Sequence, residues 1–258
     1  MGEVKLTLTG AGGGLGLVLR PRLIARGGRL TSSGYSLPAP VSPQERVLCG
    51  DLRDDRVVDA ALTGADAVIH LAGNSIEAPL EQIIQNNLVA LQRLYEGARR
   101  HGVKRVVFAS SNHTIGMYPA GQILKLSDPV RPDSNYGLSK VWGEAMGRLY
   151  FDKFGIETVS LRIGSALERP TEPRHLSTWL GYDDLEELIW RAATVPNVGY
   201  LTVWGVSANT RAWWDNAPAA ALGYVPRQNA EDYAADILRT AGPDWMFQGG
   251  SFALADLM

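Results

Sequence analysis

The chain has 258 residues, of which 45% are hydrophobic and 20% are charged, and its formal net charge is −2. This composition is that of an ordinary protein with one substantial core, and the near-neutral charge argues against nucleic acid or an anionic membrane as a partner. The single cysteine, Cys49, excludes an internal disulfide, and the four histidines lack the spacing of metal ligands. No apolar run reaches the roughly 20 residues that span a bilayer, and the first residues lead into a strand without a signal peptide, so we expect a cytoplasmic protein.

The first predicted element is a strand over residues 4–8, followed at once by a glycine-rich turn and a helix. Gly10, Gly13 and Gly16 have the spacing of a dinucleotide-binding fingerprint. Gly10 permits the tight turn, Gly13 lets the pyrophosphate approach the backbone, and Gly16 lets the helix pack on the strand. The free N–H groups at the start of the helix attract phosphate. A merely flexible loop is the alternative, and Pro21 is expected to kink the helix or restrict its hydrogen bonding.

Strands and helices continue to alternate along the first two thirds of the chain. Further strands are predicted at residues 28–31, 47–49, 67–71, 105–109 and 158–163, helices at 54–62, 79–101 and 134–154, and a loop at 32–43. This alternation predicts an α/β fold with a Rossmann-type doubly wound parallel sheet. After this region a helix at 182–193 and a strand at 200–204 are predicted. We expect a dinucleotide-binding domain at 1–165 and a smaller substrate-binding lobe at 166–258, within one compact unit.

Polar or small residues close each of the predicted strands. They are residues 10–16, Asp51, 72–75, 110–113 and Ser165. In doubly wound sheets, ligands bind beyond the carboxyl ends of the strands. The sequence therefore predicts that these residues collect at one rim.

The helix that starts near residue 134 carries Tyr136 and Lys140, which are four residues apart and so lie on one face. The ammonium of Lys140 would favour the phenolate of Tyr136, although the ordinary pKa of tyrosine is about 10. A tyrosine tuned in this way can accept a proton near neutral pH. The spacing also arises by chance in long helices, so its weight comes from the glycine fingerprint that precedes it.

The glycine fingerprint, Ser111 after a central strand and the Tyr136–Lys140 pair together resemble the extended short-chain dehydrogenase/reductase superfamily. Longer segments look like the bacterial uronate dehydrogenases, at residues 108–116, 150–155, 162–165, 176–179, 203–205, 213–216 and 247–250. That family oxidises the C1 hydroxyl of D-glucuronate or D-galacturonate, in the pyranose form, to an aldarolactone with NAD. The resemblance implies an oxidoreductase of hexuronate catabolism, and we expect a homo-oligomer.

The resemblance also implies a role for each matching residue. Tyr136 would be the general base, Lys140 would hold the nicotinamide ribose and lower the Tyr136 pKa, and Ser111 would bind the reacting oxygen. Arg174 would bind the substrate carboxylate, which suits a forked guanidinium. The residues implied to hold sugar hydroxyls are Ser75, Asn112, His113 and Ser165. The residues implied to bind the cofactor are Gly10, Gly13, Leu15, Gly16, Ser33, Asp51 (at the adenine amine), Leu52, Leu71, Ala72, Gly73, Tyr136 and Lys140.

Other interpretations stay open for several of these residues. Ser110 and Ser111 could each cap a strand end, and the family alignment selects Ser111. His113 could be a structural histidine, and Arg174 could be a solvated surface charge. The tryptophans at positions 179, 213 and 214 are expected to pack the smaller lobe rather than to stack on sugar.

The sequence departs from the family pattern at the end of the second strand. An NAD-preferring member carries an acid there, which accepts hydrogen bonds from the adenosine ribose and repels a 2′-phosphate. Ser33 stands at that position, within a run without an acid, and no arginine follows immediately. We therefore expect relaxed discrimination, with NADP accepted as well as NAD.

Two other functions share features of the sequence. Nucleotide-sugar epimerases and dehydratases have the same sheet, cofactor and Tyr–Lys pair, but the roughly ninety residues after Ser165 look short for their large substrates. A non-enzymatic dinucleotide sensor would bind the cofactor without chemistry, and it has no need of a base. A small uronic acid is the expected partner.

Overall fold

The structure is a computed structural model, and it describes residues 4–239, 242–243 and 245–258. The predicted lead from residues 1–3 into the first strand lies outside these ranges. The strands within them, numbered β1 to β9, span Val4–Thr9, Gly28–Gly34, Glu45–Cys49, Ala67–His70, Arg105–Ser111, Glu157–Ile163, Ser165–Ala166, Trp179–Leu180 and Tyr200–Gly205. The α-helices, numbered α1 to α8, span Gly14–Ala25, Asp55–Leu62, Leu80–Ile83, Ala90–His101, Asn135–Phe154, His175–Thr178, Tyr182–Thr194 and Ala234–Arg239.

Seven of the described strands form one parallel sheet in the order β3-β2-β1-β4-β5-β6-β9, and β7 pairs with β8. The order of the first six is that of a Rossmann dinucleotide-binding sheet. The predicted fold class is therefore confirmed. The seventh strand, β9, comes from the region predicted as a smaller lobe, and the division at residue 165 stays a prediction.

Shorter helical segments complete the chain. A π-helical segment, Ile84–Val89, joins α3 to α4, and 3₁₀ turns occur at Asn112–Ile115, Ala217–Leu222, Ala230–Tyr233 and Gly250–Leu254. The single helix predicted at 79–101 thus has a π segment in its middle. α1 runs without interruption through Pro21, which has no N–H to donate within the helix. α5 ends at Phe154, as the sequence predicts, and Gly155 caps it with a left-handed φ of 69°.

Two strands run further than predicted. β2 includes Ser32 to Gly34, a stretch predicted as loop, because it pairs with β1 on one side and β3 on the other. The hydrogen-bond ladder of an interior strand outweighs the weak β propensity of serine and glycine. Likewise β5 continues to Ser111, which pairs with Ile163 of β6.

The core lies on both faces of the sheet. On one face, α1 and α7 pack through residues such as Leu19, Leu23 and Leu188, all fully buried. On the other face, α2, α4 and α5 pack through a second cluster that includes Leu94 and Tyr95. Burying both faces fixes the strands, so their carboxyl ends form a rigid rim. No helix in the described residues is long and apolar enough to cross a membrane.

Two of the three tryptophans expected to pack the smaller lobe are buried. Trp179 is 1% exposed and meets Tyr233 edge to face. Trp214 is 4% exposed and stacks on Trp204 with ring centroids 4.9 Å apart. Trp213 is half-buried against the same cluster. These rings therefore contribute to packing, as the sequence predicts.

Candidate functional site

A cavity of about 850 Å³ runs along the carboxyl ends of the strands. The glycine-rich turn after β1 and the loop after β2 line one end of it, and the end of β5 and the start of α5 line the other. The rim predicted from the polar strand ends is thus present at residues 10–16, 72–75 and 110–113. The site has a glycine-rich end and an end rich in polar side chains.

At the glycine-rich end of the cavity, backbone segments lie so close together that a side chain would not fit between them. Gly10 has φ of 71°, and a Cβ placed on it would lie 2.7 Å from the backbone nitrogen of Ala72. A Cβ on Gly16 would lie 2.4 Å from the carbonyl oxygen of Gly10. α1 begins at Gly14 without a side-chain cap on its N–H groups, and this start lines the cavity. Uncapped N–H groups at a helix start bind phosphate, so the residues present fit a dinucleotide.

Most of the residues implied to bind the cofactor line this cavity. They are Gly10, Gly13, Leu15, Gly16, Leu52, Leu71, Ala72, Gly73, Tyr136 and Lys140. Their roles stay predictions, and the cavity brings them together as the sequence predicts.

Ser33 and Asp51 are the two exceptions, because neither is among the described residues that line the cavity. Ser33 is fully buried within β2, and its Oγ has no hydrogen-bond partner among the described residues. The chain turns out of the sheet only after Gly34, so Gly34, Tyr35 and Ser36 line the cavity instead.

The Asp51 carboxylate is engaged by a neighbour rather than directed at an adenine pocket. Arg53 donates to it through Nε at 2.9 Å and Nη2 at 2.6 Å. These hydrogen bonds lower the pKa of Asp51. The neighbouring Gly50 and Leu52 line the cavity, so β3 contributes at this rim, but the structure does not place the Asp51 side chain there.

Tyr136 lies in the first turn of α5 and is 7% exposed. Ser134 caps the helix by accepting from the Gly137 N–H at 2.9 Å. The Glu77 carboxylate accepts from the Tyr136 N–H at 2.9 Å, which ties the loop after β4 to the helix start. Two acceptors thus satisfy the first N–H groups of α5 and hold Tyr136 at the cavity.

The predicted effect of Lys140 on Tyr136 stays a prediction, because burial dominates the Tyr136 pKa. Lys140 Nζ donates to the Ala109 carbonyl at 2.8 Å and lies 5.4 Å from the centroid of the Tyr136 ring. Burial raises the pKa of Tyr136 to about 12, while a hydrogen bond with Ser111 lowers it and the charge of Asp133 raises it. Burial also lowers the pKa of Lys140 to about 8. The two residues share one face, but desolvation outweighs the expected help from the cation.

Ser110 and Ser111 have different surroundings, since consecutive strand residues point to opposite faces. Ser110 donates to Glu144 Oε1 at 2.6 Å, and Glu144 forms a buried ion pair with Arg162. Ser111 accepts from the His113 N–H at 3.2 Å and is a hydrogen-bond partner of Tyr136. Of the two serines, the family alignment thus selected the one that meets the phenol.

At the polar end of the cavity, His113 lies between an acid and an aromatic ring. Its Nδ1 is 2.7 Å from Asp133 Oδ2, and its ring stacks on Phe252 with centroids 4.1 Å apart. The Tyr136 ring meets it edge to face at 5.6 Å. Ser75 and Asn112 line the cavity nearby. His113 therefore has both a structural partner and access to the cavity.

Arg174 is half-buried rather than a solvated surface charge, and desolvation lowers its pKa. Its Nε donates to the Gln248 carbonyl at 2.8 Å and its Nη1 to Ser165 Oγ at 3.1 Å. Its Nη2 donates to the Asn112 side-chain oxygen at 2.9 Å, in the amide orientation that also satisfies the Ile163 carbonyl. Among described residues these acceptors use three of the five N–H groups, and two remain for a carboxylate. Arg174 and Ser165 are outside the residues that line the cavity, and Arg174 joins Ser165 to the lining residue Asn112.

Several residues at the site were not predicted from the sequence. Asp133, Gln248 and Phe252 hold His113 or Arg174 from distant parts of the chain. Asn87, in the π-helical segment, accepts from the Asn74 N–H at 2.7 Å and donates to Ser139 at 2.9 Å. Gln248 lies in the segment 247–250, and the similarity of this segment to the family was the sequence signal that could have identified it. The described residues include no group of acids, histidines and cysteine that could hold a metal ion.

Known proteins match this chain along nearly its whole length. Residues 6–199 match a family model described as the NAD dependent epimerase/dehydratase family. A uronate dehydrogenase of Pseudomonas putida is 47% identical, over 97% of this chain and 96% of that protein. A uronate dehydrogenase of Agrobacterium fabrum is 45% identical, over 96% of each.

Solved structures give the same result. A uronate dehydrogenase mutant from Agrobacterium tumefaciens, complexed with NAD, superposes with a TM-score of 0.94 at 44% identity, covering 99% of this chain and 98% of that one. A glucuronic acid dehydrogenase from Chromohalobacter salexigens has a TM-score of 0.94 at 40% identity, covering 98% and 97%. A UDP-galactose 4-epimerase is similar in fold alone, with a TM-score of 0.74 at 18% identity.

Proposed function

Because the chain belongs to the uronate dehydrogenases of the NAD dependent epimerase/dehydratase family, we propose that it oxidises the C1 hydroxyl of D-glucuronate or D-galacturonate to an aldarolactone. The observation that carries the proposal is the convergence of Tyr136, Ser111 and Lys140 at one end of a glycine-lined cavity. Arg174, Asn112 and Ser165 form a bonded cluster next to them. A base and an anion-binding group are what a uronate oxidation requires.

The side chains divide the chemistry between them. Tyr136 accepts the C1 hydroxyl proton, and Ser111, which hydrogen-bonds to the phenol, binds the same oxygen. NAD, when bound, supplies the acceptor for the C1 hydride. Arg174 binds the substrate carboxylate and so sets which carbon lies beside Tyr136.

Tyr136 must lose its proton to act as a base. Burial raises the Tyr136 pKa to about 12, which means that the phenol is neutral at pH 7. A positive charge nearby is what lowers such a pKa, and Lys140 stays protonated below its own pKa of about 8. We therefore assign Lys140 to the ribose and to this electrostatic support of the Tyr136 phenolate.

The cofactor is NAD in this proposal, with NADP accepted as well. Ser33 places no carboxylate at the end of β2, and the Asp51 carboxylate is paired with Arg53. β2 and β3 end side by side, since Gly34 pairs with Cys49, and Arg53 follows soon after the end of β3. Its side chain is 40% exposed. Steady-state kinetics with NAD and NADP test this part, and a strong NAD preference would contradict it.

The proposal as a whole is tested by incubating the purified chain with each uronate and NAD while following the absorbance of reduced nicotinamide. Formation of an aldarolactone, identified by mass spectrometry, is the expected result. Isomerisation of a nucleotide sugar without uronate oxidation would favour the epimerase alternative, which the comparisons do not favour. Dinucleotide binding without turnover of either substrate would favour a sensor. The homo-oligomer and the cytoplasmic location stay predictions within the proposal.

A further inference from the structure

Asp133 makes the hydrogen bond that fixes His113 at the polar end of the cavity. Its Oδ2 lies 2.7 Å from His113 Nδ1, and its Oδ1 accepts from Ser134 Oγ at 2.8 Å. Ser134 is in turn the cap of α5, the helix that carries Tyr136. The two oxygens of one carboxylate therefore connect the histidine to the start of the catalytic helix.

The carboxylate of Asp133 has no freedom to move away from His113. Its side chain is 0% exposed. A Cβ placed on Gly116 would lie 1.7 Å from Oδ2, and one on Gly249 would lie 1.8 Å from it. Two glycines from distant segments thus close around this oxygen, and no larger residue fits at either position without displacing it. Such enclosure is expected where a side chain must keep one orientation.

The chemistry of the pair determines where the histidine proton lies. An ionised carboxylate can only accept, so His113 Nδ1 must carry hydrogen. The other ring nitrogen, Nε2, makes no hydrogen bond to a described residue, and the ring lines the cavity. Phe252 covers one face of the ring, which holds the ring plane. In the neutral ring Nε2 is then an acceptor.

We infer that Asp133 is a positioning residue, which holds His113 in the Nδ1–H tautomer so that Nε2 accepts a hydrogen bond from a substrate hydroxyl. The inference rests on the proposed function for the identity of that hydroxyl as a sugar hydroxyl. The position of the proton does not depend on the substrate. It is a property of the folded chain.

The charge of Asp133 predicts a kinetic effect that distinguishes loss of positioning from general damage to the fold. Tyr136 and Arg174 are the ionisable groups near Asp133 on which its charge acts. Its negative charge raises the pKa of Tyr136, so removing the charge does not disfavour the phenolate. Asp133→Asn should therefore weaken substrate binding without lowering kcat. Disruption of the first turn of α5 would instead weaken substrate binding and lower kcat as well.

Nitrogen-15 NMR of histidine-labelled protein reads the tautomer directly, in the absence of any substrate. The chain has four histidines, and a His113→Gln variant assigns the signal of interest. We expect protonated Nδ1 and unprotonated Nε2 at pH 8 in the wild type, and loss of this single state in Asp133→Asn. Asp128→Asn is the matched control, since Asp128 accepts only from the nearby Lys125 N–H among described residues. A wild-type His113 with hydrogen on Nε2, or one unchanged by Asp133→Asn, would overturn the inference.

Kinetics of the full-length enzyme then test whether the tautomer matters to the substrate. Asp133→Asn should raise the uronate KM about tenfold, the loss of roughly one hydrogen bond, with kcat kept. In a His113→Gln background the same change should add less than about twofold, because Asp133 acts through His113. Additive effects, or a parallel fall in kcat, would overturn the inference. A chain that never oxidises uronate but shows the expected tautomer refutes the proposed function alone.

Discussion

The two ends of the cavity are built on different principles. The dinucleotide end is made by one short run, residues 10–16, in which the absence of side chains lets backbone approach backbone. The substrate end is made by side chains from the loop after β4, the end of β5, α5, Arg174 and the segment 245–258. The dinucleotide end thus depends on the absence of side chains at its glycines, and the substrate end depends on side chains that folding brings together.

This difference determines how each end fails. An added methyl group harms the dinucleotide end because backbone atoms cannot move aside. A lost partner harms the substrate end because a charged or polar group loses its orientation. Substitutions of the two kinds should therefore have effects on separate steps, cofactor binding or substrate turnover. Substitutions at each end of the cavity test this separation.

The largest effect is expected from Tyr136→Phe, which removes the proton acceptor and little else. We expect kcat to fall about a thousandfold, the usual contribution of a general base. NAD binding, measured by fluorescence titration, should be largely unchanged. Tyr118→Phe is the control, since that buried phenol bonds to the Pro129 carbonyl. If Tyr136→Phe kept kcat within tenfold, another group would be the base.

Arg174→Ala should raise the uronate KM about a hundredfold, as expected for loss of charge-assisted hydrogen bonds, with a smaller effect on kcat. Arg169→Ala, at an exposed position of the same region, should change neither. The sharper test uses a neutral aldose that lacks the carboxylate. If Arg174→Ala impaired that sugar as much as the uronate, Arg174 would be supporting Asn112 and Ser165 rather than binding the carboxylate.

At the dinucleotide end, Gly16→Ala should weaken NAD binding about tenfold and lower the free energy of unfolding by about 1–3 kcal/mol, because the new Cβ would press on the Gly10 carbonyl. Gly14→Ala is the matched control for stability in the same helix, since its Cβ would meet no atom of the described chain within 4 Å. Urea denaturation and NAD titration measure both quantities. Equal losses of stability in the two variants would show that close backbone packing is not what Gly16 supplies.

At neutral pH the smallest effect is expected at His70, the last residue of β4, because its loss of stability develops only at lower pH. Burial lowers its pKa from 6.5 to about 3. Because the folded pKa lies below the unfolded one, stability is lost as the pH falls from 6.5 towards 3, by about 1.4 kcal/mol per pH unit. His70→Asn should flatten this part of the stability profile, measured by urea denaturation at several pH values. Parallel profiles for His70→Asn and the wild type would contradict this assignment.

Much of the fold and of the dinucleotide end could be predicted because their signals are local. The alternation of strands and helices and the glycine spacing can each be recognised from neighbouring residues in the sequence. The sequence could not show that Ser33 and Asp51 lie outside the cavity lining, because strand length and side-chain direction depend on pairing with β1 and β3 and on the Arg53 contact.

The substrate end was harder to predict because its residues meet only after folding. His113 and Phe252 are far apart in the chain, and no short pattern joins Asp133 to Gly249. The burial that raises the Tyr136 pKa could not be predicted for the same reason. Spacing along a helix shows which groups are near, whereas desolvation depends on everything else that surrounds the phenol.

Gln248 has a consequence for how the enzyme can be inactivated. It is 0% exposed, and it bonds to Trp214, Pro119 and Gln122 while its carbonyl holds Arg174. A protease that severed the polypeptide just before Gln248 would release this anchor together with Phe252, yet leave every strand of the large sheet in place. The clipped protein would remain folded and would still capture dinucleotide, so it would compete for cofactor without consuming sugar.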